Sequence, residues 1–387
     1  MMLGARSGGN GGSVLVTAKG TWTRAELAQD PFGLVDLCRM QGFLELSNDE
    51  PEKVVSALLL EEGAISKIYL GGGLNLEGSE ADSDPRTQWV FQTSGSTGRP
   101  KPVAQKIDAI VRKIESPASP GVAWGFLTEI TRMAGIQVAI EAFSTGSNLV
   151  IPDSRLPLSK RIEFFFSNNV THLSATPSQW RQVLAAPLGK RLTLKQATLG
   201  GEVADQKILT GIRVAYPSAK ITHVYATTEV GPVFAVSDGI AGFSQMQLGR
   251  DSNRIHLGEN GEIGVTQMGS GEVYWTGDLV ERVGERYFFI GRLGDTINVG
   301  GAKVHPAMVE AVLLDHPNVL DCLVTGQPNS IVGELVVADV VLENARDGAV
   351  GELRGWCRDQ LLKHAVPKIF RVVESIPATS AGKKVRR

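Results

Sequence analysis

After Gly12 and as far as Glu229 the chain alternates short apolar runs with helical stretches, and this alternation constrains the fold more than any other feature. The spacing predicts helices at VSALLLEEGA, AGIQVAIEAFSTG, PSQWRQVLAAPL and ADQKILTGIRVAYP. It predicts strands at KIYLG, QWVFQTS, NLVIP, NNVTHLSATP, KQATLGGE and KITHVYATTE. Strand–helix–strand repetition of this kind gives parallel sheets with crossover helices. Near residue 240 the pattern changes. GEIGVTQ and GEVYWTGDLVERVGERYFFIGR read as hairpins of a small β subdomain with Gly-containing turns. After Gly294 come a helix from His305 to Asp315, a strand pair around VLDCLVTG and LVVADVVLE, and a helix from Gly351 to His364. The predicted class is α/β, with a large N-terminal domain of parallel-sheet layers plus a small β subdomain, then a small α+β C-terminal lid domain. Residues 1–13 are Gly/Ser-rich and read as a disordered lead-in. The expected domains are 14–292 and 293–387, with the polar, Gly-rich GRLGDTIN as the hinge between them.

The 387 residues carry a formal net charge of −2, with 42% hydrophobic and 21% charged residues. Near-zero charge argues against a protein that lives on phosphate contacts with nucleic acid. No uncharged apolar run of about 18 residues occurs, and no amphipathic basic helix, so stable membrane binding is not expected. The N-terminus lacks the apolar stretch of a secretory signal. Three distant cysteines, Cys38, Cys322 and Cys357, suit a reducing, cytoplasmic setting and make neither a disulfide frame nor a zinc site.

Five short segments carry candidate chemistry. Thr93-Ser94-Gly95-Ser96-Thr97-Gly98-Arg99-Pro100-Lys101 follows a predicted strand. Its glycines permit a tight turn whose N–H groups, hydroxyls and Lys can face one concavity, which is what phosphate oxygens require. A flexible surface loop is the bland alternative. It is not a Walker A loop, because no Gly-Lys-Ser/Thr occurs there. Tyr225-Ala226-Thr227-Thr228-Glu229 follows the strand KITHV. A carboxylate at a strand's C-terminal end sits where open α/β sheets bind ligands, and Glu229 can hold Mg²⁺ beside substrate phosphates; a turn-capping Glu would look the same. In Thr276-Gly277-Asp278 an Asp beside a Gly turn can accept two ribose hydroxyls or merely stabilise the turn. Gly291-Arg292-Leu293-Gly294-Asp295 is followed by Ile297 to Val304, where Gly300-Gly301 permits close approach of a ligand or chain. The terminal Pro377-Ala378-Thr379-Ser380-Ala381-Gly382-Lys383-Lys384-Val385-Arg386-Arg387 reads by itself as a basic solvated tail.

In this order the five segments resemble the adenylate-forming superfamily of acyl-CoA synthetases, peptide-synthetase adenylation domains and luciferases. The resemblance runs from Trp89 to Arg387. It implies that Thr93, Ser94, Gly95, Ser96, Thr97, Gly98 and Lys101 grip the β- and γ-phosphates of ATP. It places Gly200, Gly201 and Glu202 beside the adenine and the acyl pocket, with Tyr225, Ala226 and Thr227 at the adenine. Thr228 would contact the α-phosphate and Glu229 the Mg²⁺. Asp278 would hold the ribose, with Arg292 nearby. Lys383 would reach the acyl carboxylate and the α-phosphate. Gly294 and Asp295 would be the hinge, and Gly300 and Gly301 would line a thiol channel. Thr131, His172 and His223 are candidates for the acid pocket. Trp124, Phe126 and Trp180 could flank an aromatic acid, although each reads more readily as core packing.

The implied activity is ATP-dependent adenylation of a carboxylic acid, aromatic in class, with pyrophosphate release and, most simply, transfer to CoA. A carrier-protein thiol, an amine or a partner reductase in a secondary-metabolite pathway, such as one making phenazine antibiotics, are alternative acceptors. A non-catalytic nucleotide-binding relative is the alternative of another class; Glu229 and Lys383, both charged and both in place, argue against it. Four positions depart from the pattern. Pro102 stands where a Gly is common and removes an N–H donor. Ala226 replaces Gly, Thr131 stands where relatives carry His or an aromatic, and Gly294 stands where relatives often have Asp. The segment before Thr93 is short, so part of the N-terminal subdomain is expected to be pared down.

Overall fold

The computed structural model describes residues 13–41, 43–60, 63–71, 86–93, 101–110, 121–250, 254–267, 271–378 and 384. The lead-in at 1–12 lies outside these. The chain divides into two compact units. One comprises Met1–Gly201 with Ile212–Ser237, the other Glu202–Gly211 with Asp238–Arg387.

The first unit is built on an eight-stranded sheet among the described residues. Across the sheet its strands run Gly231–Val236, Lys220–Thr227, Gln196–Gly200, His172–Ala175, Ala123–Phe126, Asn148–Ile151, Val14–Thr17 and Gly20–Thr23. The six inner strands are mutually parallel, as the alternation requires. Both outer strands are antiparallel additions. Neither was legible in the sequence: Gly20–Thr23 is only four residues long, and Pro232 disguises the other. An edge strand tolerates a proline because its outer N–H has no partner to lose.

The crossover helices follow ordinary rules. Pro177–Ala185 begins with a capping box, in which Thr176 accepts from the Gln179 N–H and the Gln179 side chain returns the bond, with Pro177 in the first turn. Met133–Ser144 buries eight of its residues, including Ile136, Ile140 and Phe143, so it is apolar around most of its circumference. Burying each such large side chain contributes about 1.5–3 kcal/mol. Asn148–Ile151 lies on one side of Ala123–Phe126 and His172–Ala175 on the other. The chain therefore reverses its direction of travel across the sheet at this point, leaving a crevice beyond the carboxyl ends of those strands.

A second sheet in the same unit runs Leu44–Leu46, Lys67–Leu70, Gln88–Thr93 and Lys101–Lys106. The last pair is antiparallel, with Thr93 opposite Lys101 and Gln92 opposite Pro102. Lys101–Lys106 is a strand for which the sequence pattern makes no prediction. As the edge of the sheet it accommodates Pro102.

The second unit holds two sheets. Phe243–Ser244, Arg286–Arg292, Val273–Val283, Glu262–Thr266 and Ile255–Leu257 form an antiparallel meander, the expected β subdomain. Ala302–Val304, Ile297–Val299, Gly333–Leu342 and Val319–Asn329 form the other sheet, with Ile369–Val372 beside Gly333–Leu342. Helices Pro306–Asp315 and Ala349–Gln360 supply Val309, Leu313, Leu353 and Cys357 to its core. The second helix starts and ends earlier than the expected Gly351 to His364. Gly348, at φ 86°, turns the chain into it, and Leu361 is already extended. Among the described residues no helix is long and apolar enough to cross a membrane.

Candidate active site

In the first unit, Gln196–Gly200 and Lys220–Thr227 are neighbouring parallel strands, with Gly200 opposite Val224. Gly200-Gly201 and Tyr225 to Glu229 therefore emerge side by side at their carboxyl ends. Gly201 takes φ 81°, a left-handed turn natural to glycine, as the chain leaves the sheet. A register shift between Tyr225 and Ala226 re-aims the strand end. The Tyr225 ring lies 5.2 Å from that of Phe234. Thr227 Oγ1 accepts from the Val230 N–H at 3.3 Å, closing the turn that carries Thr228 and Glu229.

That turn is tied to the strand Lys101–Lys106 by a residue that the sequence motifs do not mark. Gln105 Nε2 donates to the carbonyl oxygens of both Thr228 and Glu229, each at 2.8 Å. Lys101 and Gln105 share a face of their strand, being separated by an even number of residues. Thr93 Oγ1 donates to the Lys101 carbonyl at 3.3 Å across the hairpin. The structure thus brings Thr93, Lys101, Thr228 and Glu229 into one framework. Ser94, Gly95, Ser96, Thr97 and Gly98 lie outside the described residues. The only signal for Gln105 in the sequence was a polar side chain spaced evenly from Lys101 on a short strand.

A second tie crosses the mouth of the crevice. Arg132 pairs with Glu129 at 2.8 Å and donates to the Gln92 carbonyl at 2.9 Å. Thr131 is buried, and its N–H and hydroxyl both donate to Asn48 Oδ1, at 3.1 and 2.9 Å. His172 opens its strand at the amino-terminal end, in register with Gln196 and through it with Lys220. That is five residues from Tyr225, about 16 Å along the sheet. Its ring packs 4.9 Å from Trp124, and Nδ1 bonds the Thr171 hydroxyl. Burial, with Lys195 adding to it, lowers its pKa to about 4. The structure therefore does not bring His172 together with Tyr225. His223 is nearer, two residues before Tyr225. Trp124, Phe126 and Trp180 are buried, and Trp180 Nε1 donates to the Thr198 carbonyl.

In the second unit, Asp278 and Arg292 face each other on paired strands, with Arg292 Nε 3.1 Å from Asp278 Oδ1. Arg292 Nη2 also donates to the Thr276 carbonyl at 2.7 Å. Gly277 takes φ 76°, and its N–H bonds Glu262 Oε1. The turn is well made, and the carboxylate stays partly exposed at 19%. Leu293–Asp295 is a single 3₁₀ turn, and Gly294 has open space around it. Gly300 and Gly301 form the two-residue tip of the hairpin Ile297–Val304, at φ 59° and 85°. Two consecutive positive φ values are what a type I′ hairpin needs, and this accounts for both glycines locally. Glu310 is buried and accepts from the Val324 N–H, a structural role. Glu202 groups with this unit and accepts the Lys384 N–H. Lys383 lies outside the described residues.

The donor set suits magnesium. Glu229 offers a carboxylate next to Thr227 and Thr228 in sequence at a strand end, and Mg²⁺ takes one or two carboxylates and fills its octahedron with phosphate oxygens and water. Among the described residues no three His, Cys, Asp or Glu stand together as a protein-only cage.

Comparison with known proteins gives the class. Residues 44–275, more than half of the chain, match the AMP-binding enzyme family, and residues 308–383 match the AMP-binding enzyme C-terminal domain. The chain belongs to the AMP-binding enzyme family, the adenylate-forming superfamily whose motifs it carries, and is an enzyme of its ligase class. A 2-succinylbenzoate–CoA ligase of Geobacillus kaustophilus is 26% identical over 335 residues, 77% of this chain and 68% of that protein. The anthranilate CoA ligase AuaEII, solved with anthranoyl-AMP, shares the fold with a TM-score of 0.76 at 14% identity, over 97% of this chain and 92% of that one. The amide bond synthetase McbA of Marinactinospora thermotolerans aligns with a TM-score of 0.70 at 20% identity, over 96% and 95%.

Proposed function

We propose that this enzyme activates an aromatic carboxylic acid with ATP. The carboxylate oxygen attacks the α-phosphorus, the bond from that phosphorus to the bridging oxygen breaks, and pyrophosphate leaves an acyl-AMP behind. The observation that carries this reading is the Gln105 link, which ties the strand leaving the Ser/Thr/Gly loop to the Thr228–Glu229 turn. Such a link supports a common frame for phosphate donors and a carboxylate, as phosphoryl chemistry by positioning requires.

In this reading Thr93, Lys101 and the loop between them hold the β- and γ-phosphates. Tyr225 stacks on adenine, Thr228 meets the α-phosphate, and Asp278 accepts the ribose hydroxyls. Glu229 would hold Mg²⁺, which when bound offsets the charge of the phosphates. Lys383 neutralises charge developing between the carboxylate and the α-phosphate. Residues 14–292 and 293–387 act as the two functional domains, with rotation about Gly294 and Asp295. A cytoplasmic setting goes with this reading. The acid is assigned to the aromatic class because the proteins above are named for 2-succinylbenzoate and anthranilate, both aromatic acids. CoA is the simplest acceptor; similarity to an amide bond synthetase makes an amine the second.

The test is ATP–pyrophosphate exchange with Mg²⁺ across aryl, fatty and amino acids, with Lys383→Ala as control. Exchange with aryl acids that is lost in the variant is expected. ATP binding without exchange for any acid would overturn the reading in favour of a nucleotide-binding relative.

A further inference from the structure

The sequence ends its Gly-Lys motif with a second lysine, and the two are not equivalent. Lys384 is only 11% exposed, unusual for a lysine in what reads as a solvated tail. Its Nζ pairs with Asp321 Oδ1 at 2.7 Å and donates to the Cys322 carbonyl at 2.6 Å. Both acceptors sit on the strand Val319–Asn329, whose Cys322 and Val324 are core residues. Asp321 is itself only 19% exposed. At the backbone, the Lys384 N–H donates to Glu202 Oε1 at 3.0 Å, and Lys384 bridges to Ala378 in antiparallel fashion. Side chain and main chain are thus fixed independently.

A cation this well enclosed is held by charge-assisted bonds whose loss leaves its partner carboxylate stranded. It is too committed to neutralise a substrate. Its three acceptors fix the peptide immediately after Lys383, and a misplacement of about 1 Å at a catalytic charge can cost about a hundredfold in rate. We propose that Lys384 is a positioning residue: anchored on Asp321, the Cys322 carbonyl and Glu202, it sets the tail from which Lys383 acts. This rests on the assignment of Lys383 in the adenylation reaction.

The experiment is exchange kinetics on the full chain with Lys384→Met, Asp321→Asn, the double variant and Lys384→Arg. Lys384→Met and Asp321→Asn should each lower the maximal exchange rate about tenfold while the KM for ATP moves less than twofold. The double variant should fall no further than either single one, because both remove one interaction. Lys384→Arg should recover most of the rate. Trypsin should trim the tail of Asp321→Asn several-fold faster than that of the parent. The exposed pair Arg371–Asp339, 2.6 Å apart in the same domain, provides the control, and Arg371→Leu should leave exchange unchanged. Unchanged exchange in Lys384→Met and Asp321→Asn, or additive losses in the double variant, would overturn the anchor. If Lys383→Ala itself exchanged normally, the assignment of Lys383 would have failed instead.

Discussion

Gln105 offers the sharpest test of the phosphate frame. Its single amide nitrogen spends both hydrogens on the Thr228 and Glu229 carbonyls, at 2.8 Å each. Gln105→Leu keeps the bulk and removes both donors. At about 1 kcal/mol per neutral hydrogen bond, the turn loses about 2 kcal/mol of restraint. If that restraint sets the carboxylate of Glu229, the Mg²⁺ concentration giving half-maximal pyrophosphate exchange should rise by up to about thirtyfold, since about 1.4 kcal/mol corresponds to tenfold. Gln105→Glu should be worse than Gln105→Leu, because an ionised carboxylate would face two carbonyl oxygens. Mg²⁺ titrations of exchange, read beside melting curves, separate the two roles open to Gln105. A Gln105→Leu protein that melts earlier but keeps the parental Mg²⁺ requirement would refute the argument and leave Gln105 as a sheet-packing residue.

Three further outcomes follow from the geometry. Arg292→Leu should raise the apparent KM for ATP several-fold by releasing Asp278, yet change the melting temperature little, because an ion pair with a 60%-exposed arginine contributes at most about 1 kcal/mol; a large drop in melting temperature with an unchanged KM would contradict this. Gly135→Ala would drive a Cβ into the Glu129 carbonyl and the Ile130 Cα, so denaturant titration should show a loss of about 1–3 kcal/mol and exchange should weaken as Glu129 and Arg132 shift; equal stability would refute the close packing. His172 titrates near 4 in the fold and near 6.5 when unfolded, so stability is complete above pH 6.5 and falls as pH drops toward 4. A shift of that size corresponds to about 3 kcal/mol, and solvent reaching a half-buried ring reduces it to about 1–2 kcal/mol; His172→Phe should flatten that slope in urea titrations, and an unchanged slope would show that another group carries it.

The inner sheet was legible in part because Asn148–Ile151, His172–Ala175 and Gln196–Gly200 are each followed by a helix whose apolar spacing differs from the strand's own. PSQWRQVLAAPL and KITHVYATTE hold the expected helix and strand, whereas the helix expected at VSALLLEEGA runs Pro51–Leu59, starting earlier and ending at Leu59 with Leu60 already extended. The antiparallel edges were silent, since Gly20–Thr23 is too short to show a period and Pro232 breaks the look of a strand. The candidate site was legible as motifs but not as a frame. Glycines and charges in fixed order mark Gly200, Tyr225 and Asp278, whereas Gln105, Asn48 and Arg132 act through contacts with residues at least 40 positions away, and no local spacing encodes those. His172 shows the converse: an aromatic ring is conspicuous in a sequence whether it meets a ligand or, as here, packs on Trp124.

The ten residues 202–211 belong to the second unit although they interrupt the first, so the chain passes between the units after Gly201, after Gly211 and after Ser237. Gln206 bonds Gly239 and Ala241, and Lys207 bonds the carbonyls of His316 and Val319. A C-terminal fragment beginning at Asp238 would be born without these partners, and no single cut yields both units whole. On the ribosome the order matters as well. Lys207 is made 112 residues before Val319. At about 5–20 residues per second it waits roughly 5–20 s for its acceptor. Over that interval the segment must stay soluble with its destination not yet synthesised, and its sequence, GEVADQKILTG, begins with charged and small residues suited to the wait.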